Sequence, residues 1–339
     1  MIKKGVKLSI LGIVCLVMAV TNSPGSSFDT IQETSSHNSR PVHPLKAGQY
    51  DQAYDYYVRG YYLKAFHEAL RRAEQNDPTA QTLVARLYTE GNAVPIDGAR
   101  AALWFGRAAK QGEPQAQLRY GLMLFDGHFI AQNQKLGEEF IQKSVKAGVK
   151  EAYFYYGQLI LYKASREKQA LPGVSSPSKD SEAAEQALKF FLKGASLGDP
   201  EAAFAAAKIL SLGTSTRPRD DHNARRLMEI AAKNRHPMAQ ILLAEWLVEG
   251  RGGEPDFQRA FSLLLPNALN MIAPAQISLA RLYRDGIGIE GDVVTAAAWY
   301  MVAKKAKIQA SDLEIMLQGM SGAQLEKARE EAKTFLPAL

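Results

Sequence analysis

The chain is poor in cysteine, because Cys15 is the only one among its 339 residues. Cys15 lies in an N-terminal segment that we expect to be removed. This excludes disulfides, thiol catalysis and cysteine-ligated metal sites from the folded part. The six histidines are dispersed, and no two are spaced to lie on one helical turn. The sequence therefore predicts neither a metal site nor a cofactor site.

An excess of charge of one sign is also missing. The formal net charge is +6, and Lys3, Lys4 and Lys7 at the N-terminus supply half of it. The remaining excess is too small for a nucleic-acid footprint, and no stripe of Lys and Arg is interleaved with aromatic residues. We predict no nucleic-acid partner.

Long hydrophobic runs are absent as well. The most apolar stretch, residues 8–20, has only 13 residues and follows three lysines. A membrane-spanning helix needs about 20 apolar residues, whereas the core of a signal peptide needs about 7–15. We predict a signal peptide at 1–19 that is cleaved after Ala19, and an uncleaved membrane anchor is the alternative. Residues 20–49, rich in Ser, Thr, Asn and Pro, are predicted to form a disordered tether.

Alternation of period two is scarce and alanine is abundant, which favours helices over strands. The sequence instead repeats about every 36 residues. A small residue opens each copy, a glycine follows eleven positions later in five of six copies, and Lys163 replaces it in the third. Such a glycine suits a left-handed helix end, and Asp or Asn then suits the start of a second helix. The opening alanines are Ala80, Ala116, Ala152, Ala202, Ala239 and Ala275, and the predicted caps are Asp97, Asn133, Asp220, Asp256 and Asp292.

These columns resemble the Sel-one-like repeat (SLR) family, a relative of the tetratricopeptide repeat. The best-matching copies run from Ala80 to Gly112, with Trp104 in a core column, and from Ala275 to Ala303. The resemblance implies an all-α fold, a right-handed α-solenoid of antiparallel helical hairpins, in which stacking of neighbouring repeats builds the core.

The repeat register predicts the domain organisation. Residues 50–77 form an N-terminal tetratricopeptide-like capping hairpin, 78–309 form six SLR repeats, and 310–339 form C-terminal capping helices. The spacing between the third and fourth copies is longer, and we interpret the extra residues at about 163–181 as an exposed inserted loop.

Three short motifs imitate catalytic or nucleotide-binding sequences. The glycines at 286–291 match a dinucleotide-binding pattern, Ser196 lies in a nucleophile-elbow pattern, and Ser165 precedes Lys168 as in serine β-lactamases. The first two occur at helix ends of the repeat, where no strand precedes them, and the third lies beside the predicted loop. We predict that the protein is not an enzyme.

Two surfaces are candidates for partner binding. In a hairpin solenoid the first helices line the concave side, and in the middle repeats this register places apolar residues there. Charged residues such as Arg86, Glu245 and Arg281 flank them. Packing against the adjacent hairpin is the alternative role of these apolar residues. The predicted groove residues are Leu118, Leu122, Phe125, Phe154, Leu161 and Phe204. The second candidate is a tyrosine cluster, which either packs the cap or contacts a partner: Tyr50, Tyr54, Tyr56, Tyr57, Tyr61 and Tyr62.

Functional expectations rest on the resemblance. It implies an exported, monomeric, non-enzymatic scaffold or regulator of the bacterial cell envelope that binds a protein or peptide in its concave groove. The alternative is a protein that binds cell-wall glycan or peptide, or that modulates a cell-wall enzyme. We expect it to be periplasmic or secreted if the signal peptide is cleaved. If the signal peptide is retained, the uncleaved N-terminus would hold the chain in the inner membrane, facing the periplasm.

Overall fold

The computed structural model describes residues 51–170 and 177–335. The predicted signal peptide, the tether and Tyr50 lie outside the described residues. All sixteen regular elements within the described residues are helices. They are α1 Gln52–Val58, α2 Tyr62–Glu74, α3 Pro78–Glu90, α4 Gly98–Lys110, α5 Pro114–Asp126, α6 Gln134–Lys146, α7 Lys150–Ala170, α8 Pro177–Ser196, α9 Pro200–Leu212, α10 Asp221–Lys233, α11 Pro237–Glu249, α12 Phe257–Leu269, α13 Ala273–Asp285, α14 Val293–Lys304, α15 Ser311–Gln318 and α16 Gly322–Thr334.

From α1 to α6, and again from α8 to α15, each helix packs against the next one along the chain. The chain divides into two compact units, with the division inside α7 after Leu159. Each unit is a stack of hairpins, so the predicted all-α hairpin fold is confirmed. Below, α3, α5, α7, α9, α11 and α13 are called the first helices of the repeats, and α4, α6, α8, α10, α12 and α14 the second helices.

The helix starts follow from local capping chemistry. All five predicted caps of the second helices accept a backbone N–H with their side chains. Four first helices begin with a second device, in which a capping side chain precedes a proline at the first helical position. These caps are Asp77, Glu113, Asp199 and His236.

The glycine column ends the first helices as predicted. Gly91, Gly127, Gly250 and Gly286 take the left-handed conformation with φ between 66° and 74°. The third copy has Lys163 in place of this glycine, and there the helix continues to Ala170. The prediction of an inserted loop at about 163–181 is therefore wrong for residues 163–170 and 177–181, which are helical. Good helix formers fill the end of α7, and Pro177 suits the start of α8.

A recurrent glutamine joins each of four hairpins to the one before it. It follows the opening alanine, and its side-chain amide donates to a carbonyl in the last turn of the preceding helix. The pairs are Gln81 with Ala73, Gln117 with Ala109, Gln240 with Ala232 and Gln276 with Ala268, at 3.0–3.4 Å. Each of these carbonyls also accepts a backbone N–H from the turn after its helix, so the glutamine adds a second bond that ties the two hairpins together.

The core combines alanines with a few large side chains. Trp104, Trp246 and Trp299 are all buried, as their columns predicted. At the C-terminal end the ring of Phe335 stacks on Trp299 with centroids 4.0 Å apart. A capping box between Ser321 and Gln324 opens α16, which lies within the predicted C-terminal cap.

Candidate interaction surfaces

The predicted groove strip is mostly core. Leu118, Leu122, Phe125 and Phe154 are each at most 8% exposed. Leu118 and Leu122 belong to one cluster with Ile141, Val149 and Ala152. These four residues therefore take the alternative role, packing against neighbouring helices.

A close helix contact explains part of this burial. On α5 and α6, Gly121 and Gly137 let the two backbones approach so closely that Leu122 and Phe125 are enclosed. The sequence register correctly placed these residues on one face, but it could not show how near the next helix lies.

The other two groove residues are half-buried. The ring of Phe204 stacks on His236, with centroids 4.4 Å apart, and His236 itself caps α11. Phe204 therefore also supports the junction between successive repeats. Leu161 lies on the elongated α7, in the other unit from Phe154.

The tyrosine cluster is divided between packing and exposure. Tyr56, Tyr57 and Tyr62 pack partly against the core, whereas Tyr54 and Tyr61 are more than half exposed. The hydroxyl of Tyr57 donates to Glu90 on α3 at 2.8 Å, and the guanidinium of Arg86 lies over its ring at 4.7 Å. Burial, aided by the hydrogen bond to Glu90, raises the pKa of Tyr57 to about 12. Both roles considered for the cluster are therefore represented in its geometry.

A cavity of about 380 Å³ lies against the first helices near the C-terminal end. We call it the first-helix pocket. Ile277 and Arg281 of α13 form one wall, Glu245 of α11 another, and Ile308 and Asp312 close it from the cap. Glu245 and Arg281 had been recognised in the sequence only as charged flanks of the groove. The contribution of residues 308–312 escaped prediction because they lie at or beyond the end of the predicted repeats at 309.

The pocket is strongly polarised on one side. Arg281 binds Asp312 in a bidentate pair, with both N–O distances at 2.9 Å, and Arg284 adds a third bond at 2.8 Å. The bonds from Arg281, followed by those from Arg284, hold the pKa of Asp312 well below its usual range. Ser278, on the same helix as Arg281, donates to Glu245 at 3.0 Å. The pocket thus combines apolar side chains with a fixed carboxylate and a fixed guanidinium.

The motifs that imitate catalytic sites have ordinary helical surroundings. Ser196 and Ser165 each donate to a carbonyl three residues earlier in their own helix, at 2.7 Å. The glycines at 286–291 follow α13, and no strand precedes them. Each of these motifs is thus accounted for by the helices of the repeat.

Residues 51–170 and 177–335 place no group of three or more His, Cys, Asp and Glu side chains where they could hold a metal ion. No helix in the same ranges is long and apolar enough to cross a membrane.

Comparison with known structures supports the fold. A Sel1 repeat protein from Oxalobacter formigenes matches with a TM-score of 0.62 at 24% identity, over 75% of this chain and 98% of that protein. The protective antigen c5321 of uropathogenic Escherichia coli, which displays an SLR fold, matches with a TM-score of 0.49 at 21% identity. That alignment covers 81% of this chain and 64% of the antigen. A comparison with curated proteins gave no match.

The sequence profile of the Sel1 repeat matches the chain six times, and the matches together cover more than half of it. Residues 150–177, which include the whole of the elongated α7, lie between two of these matches. The matched segments are 78–113, 114–149, 178–199, 200–236, 237–265 and 273–301. Because the matched segments cover more than half of the chain, this chain belongs to the Sel1 repeat family.

Proposed function

We propose that this chain is a non-enzymatic interaction scaffold that holds a segment of another protein against its first helices. The Sel1 repeat fold is commonly a scaffold for protein–protein interaction. The observation that carries the proposal is the first-helix pocket, where apolar and charged groups converge beside the residues that lead into the C-terminal cap.

The composition of the pocket suits a peptide. Ile277 and Ile308 offer an apolar seat, and Ile308 is more than one third exposed. Glu245 and Arg281 are held by bonds inside the chain, so both can orient a ligand without a large loss of side-chain freedom. Groups of opposite charge beside an apolar seat favour a segment with an apolar anchor and polar neighbours.

The site of action is proposed to be the bacterial cell envelope. This part of the proposal is supported by residues 1–20, where three lysines precede a short apolar run. Export by this segment would place the hairpin array on the far side of the inner membrane.

Affinity capture from an envelope extract tests the scaffold proposal. Ile308→Glu places a charge at the apolar seat, and we expect it to reduce the captured partner about tenfold, as for a loss at an interface hot spot. The matched control is Ile315→Glu on α15, since Ile315 is 68% exposed and does not line the pocket. Equal capture by wild type and Ile308→Glu, with both folded, would place the binding surface elsewhere.

A further inference from the structure

The second helices differ in how their outer faces are covered. On α4 and α6 an aromatic residue lies seven positions after the cap, and a cation three positions later covers its ring. Arg107 lies 4.7 Å from the Trp104 ring and Lys143 lies 5.0 Å from the Phe140 ring. On α14 the corresponding Trp299 is covered by Phe335 instead. These three faces are thus closed within the chain.

The same two positions are different on α10 and α12. Leu227 and Leu263 replace the aromatic residues, and Ile230 and Pro266 replace the covering cations. A cavity of about 800 Å³ opens there, between α8, α10 and α12, and we call it the second-helix basin. The smaller side chains leave unfilled the volume that indole or phenyl rings fill in other repeats.

The basin has an apolar interior. Leu210 and Leu243 are buried at its floor, and Leu227 and Leu263 line it half-buried. Leu192 and Ile230 are about 40% exposed at its edge. Exposed apolar groups next to an apolar cavity are a common property of surfaces that bind another molecule.

The rim of the basin is basic. Four lining side chains are cationic and two are anionic, the latter being Asp220 and Glu229. Arg217 and Arg259 are paired with Glu185 and Glu229. Arg226 and Lys233 are exposed and form no ion pair or hydrogen bond with any residue that the structure describes. They share one face of α10 with Ile230, because the spacings are four and three residues.

From this juxtaposition we propose that the second-helix basin is a docking site for an acidic amphipathic helix of another protein. Apolar residues at helical spacing would enter the basin between Leu192, Ile230 and Leu263. Carboxylates beside them would pair with Arg226 and Lys233, whose charges are not neutralised within the described chain. This surface is separate from the first-helix pocket, so the chain would hold two partners, or two segments of one partner.

The test uses full-length protein and a stapled, fluorescein-labelled model helix of about five turns with leucines along one face and glutamates elsewhere. We expect saturable binding by fluorescence anisotropy, weakened by salt. The double variant Arg226→Glu, Lys233→Glu should weaken it at least about tenfold, as expected for two lost charge pairs. A peptide with lysines in place of the glutamates should bind wild type much more weakly than the glutamate peptide does. The same lysine peptide should bind the double variant more tightly than it binds wild type.

A second double variant tests the cavity itself. Leu227→Trp with Ile230→Arg gives α10 the pair found on α4, and should abolish binding while thermal stability is kept. Ile315→Glu serves as the surface control. The proposal is overturned if wild type shows no saturable binding, if the lysine peptide binds wild type equally well, or if filling the cavity changes nothing. Binding of phosphatidylglycerol vesicles that is lost in the filled variant would also overturn it, by showing a lipid surface as the occupant. None of these outcomes depends on Ile308, so the two proposals can fail separately.

Discussion

Gly121 and Gly137 face each other across the contact between α5 and α6. A Cβ atom on Gly137 would lie 2.6 Å from the Gly121 carbonyl oxygen, and one on Gly121 would lie 2.8 Å from the Gly137 carbonyl oxygen. The obstructing atoms are backbone, so no side chain can rotate away. We expect Gly137→Ala to destabilise the protein, typically by ~1–3 kcal/mol.

Urea unfolding measures this difference, with Gly322→Ala as its control. Gly322 opens α16 and has open space around the position of a Cβ. There the alanine should be neutral or should stabilise by up to ~1 kcal/mol. If both alanines have the same effect, the α5–α6 contact is looser than described.

The buried ion pair between Arg72 and Asp77 gives a second prediction. Arg72 donates two bonds to one carboxylate oxygen of Asp77, at 3.0 and 2.6 Å, and both residues are almost inaccessible. Asp77→Ser preserves the cap of α3 but removes one of the two carboxylates that bind Arg72. The cost should be about 3 kcal/mol, at the low end for a broken buried pair, because Asp51 still binds Arg72 at 2.8 Å. Adding Arg72→Met should recover part of that loss, because no cation is then left buried. Chemical denaturation measures the free energy of unfolding of both variants. A double variant that is less stable than Asp77→Ser alone would contradict this prediction.

Acid should weaken the C-terminal cap through Asp312. Its pKa in the folded protein lies below the ordinary value of 3.8, so the unfolded chain binds the proton more readily. The stabilisation by this carboxylate is therefore complete above that value and is lost as the pH falls through the lower folded pKa. The difference in melting temperature between wild type and Asp312→Asn should be constant near neutral pH and should shrink in acid. A difference in melting temperature that grows as the pH falls would contradict the stabilising role of the ionised Asp312.

Phe154→Asp should unfold the region around it. Phe154 is 8% exposed, so the carboxylate would enter the core, and a loss of about 3 kcal/mol or more is expected. Phe129 provides the matched control because it is 60% exposed and has a positive φ, which aspartate tolerates. Circular dichroism melting curves compare the two. Unchanged stability of Phe154→Asp would restore Phe154 as a surface candidate.

Export predicts that the mature protein lacks its first residues. Mass spectrometry of the protein from its native host should find a chain that begins after Ala19. An intact Met1 in a membrane fraction would instead support the uncleaved anchor.

The sequence allowed the fold to be predicted because helix starts and ends depend on local chemistry. Asp97 and Gly91 act through their own side chain or backbone conformation, so each could be recognised without knowing its neighbours. Phe154 could not be placed in this way, since its burial depends on how closely another helix approaches. The second-helix basin did leave a sequence trace, in the change from Trp104 to Leu227 within one column. Leucine and tryptophan are both large apolar residues, so the change in volume becomes meaningful only once the surrounding helices are known.

The glutamine that joins successive repeats has a mechanical consequence. It is present in four copies, whereas Tyr153 and Ala203 occupy its position in the other two. If the chain were pulled by its two ends, the junctions with the glutamine bond would share the load between helix packing and that bond. The hairpins that begin near Ala152 and Ala202 lack this bond. Other side-chain pairs cross their junctions, Gln142 with Tyr156 at the first and Glu185 with Arg217 at the second. Because water competes with the exposed second pair, the array should yield first at the junction before Ala202.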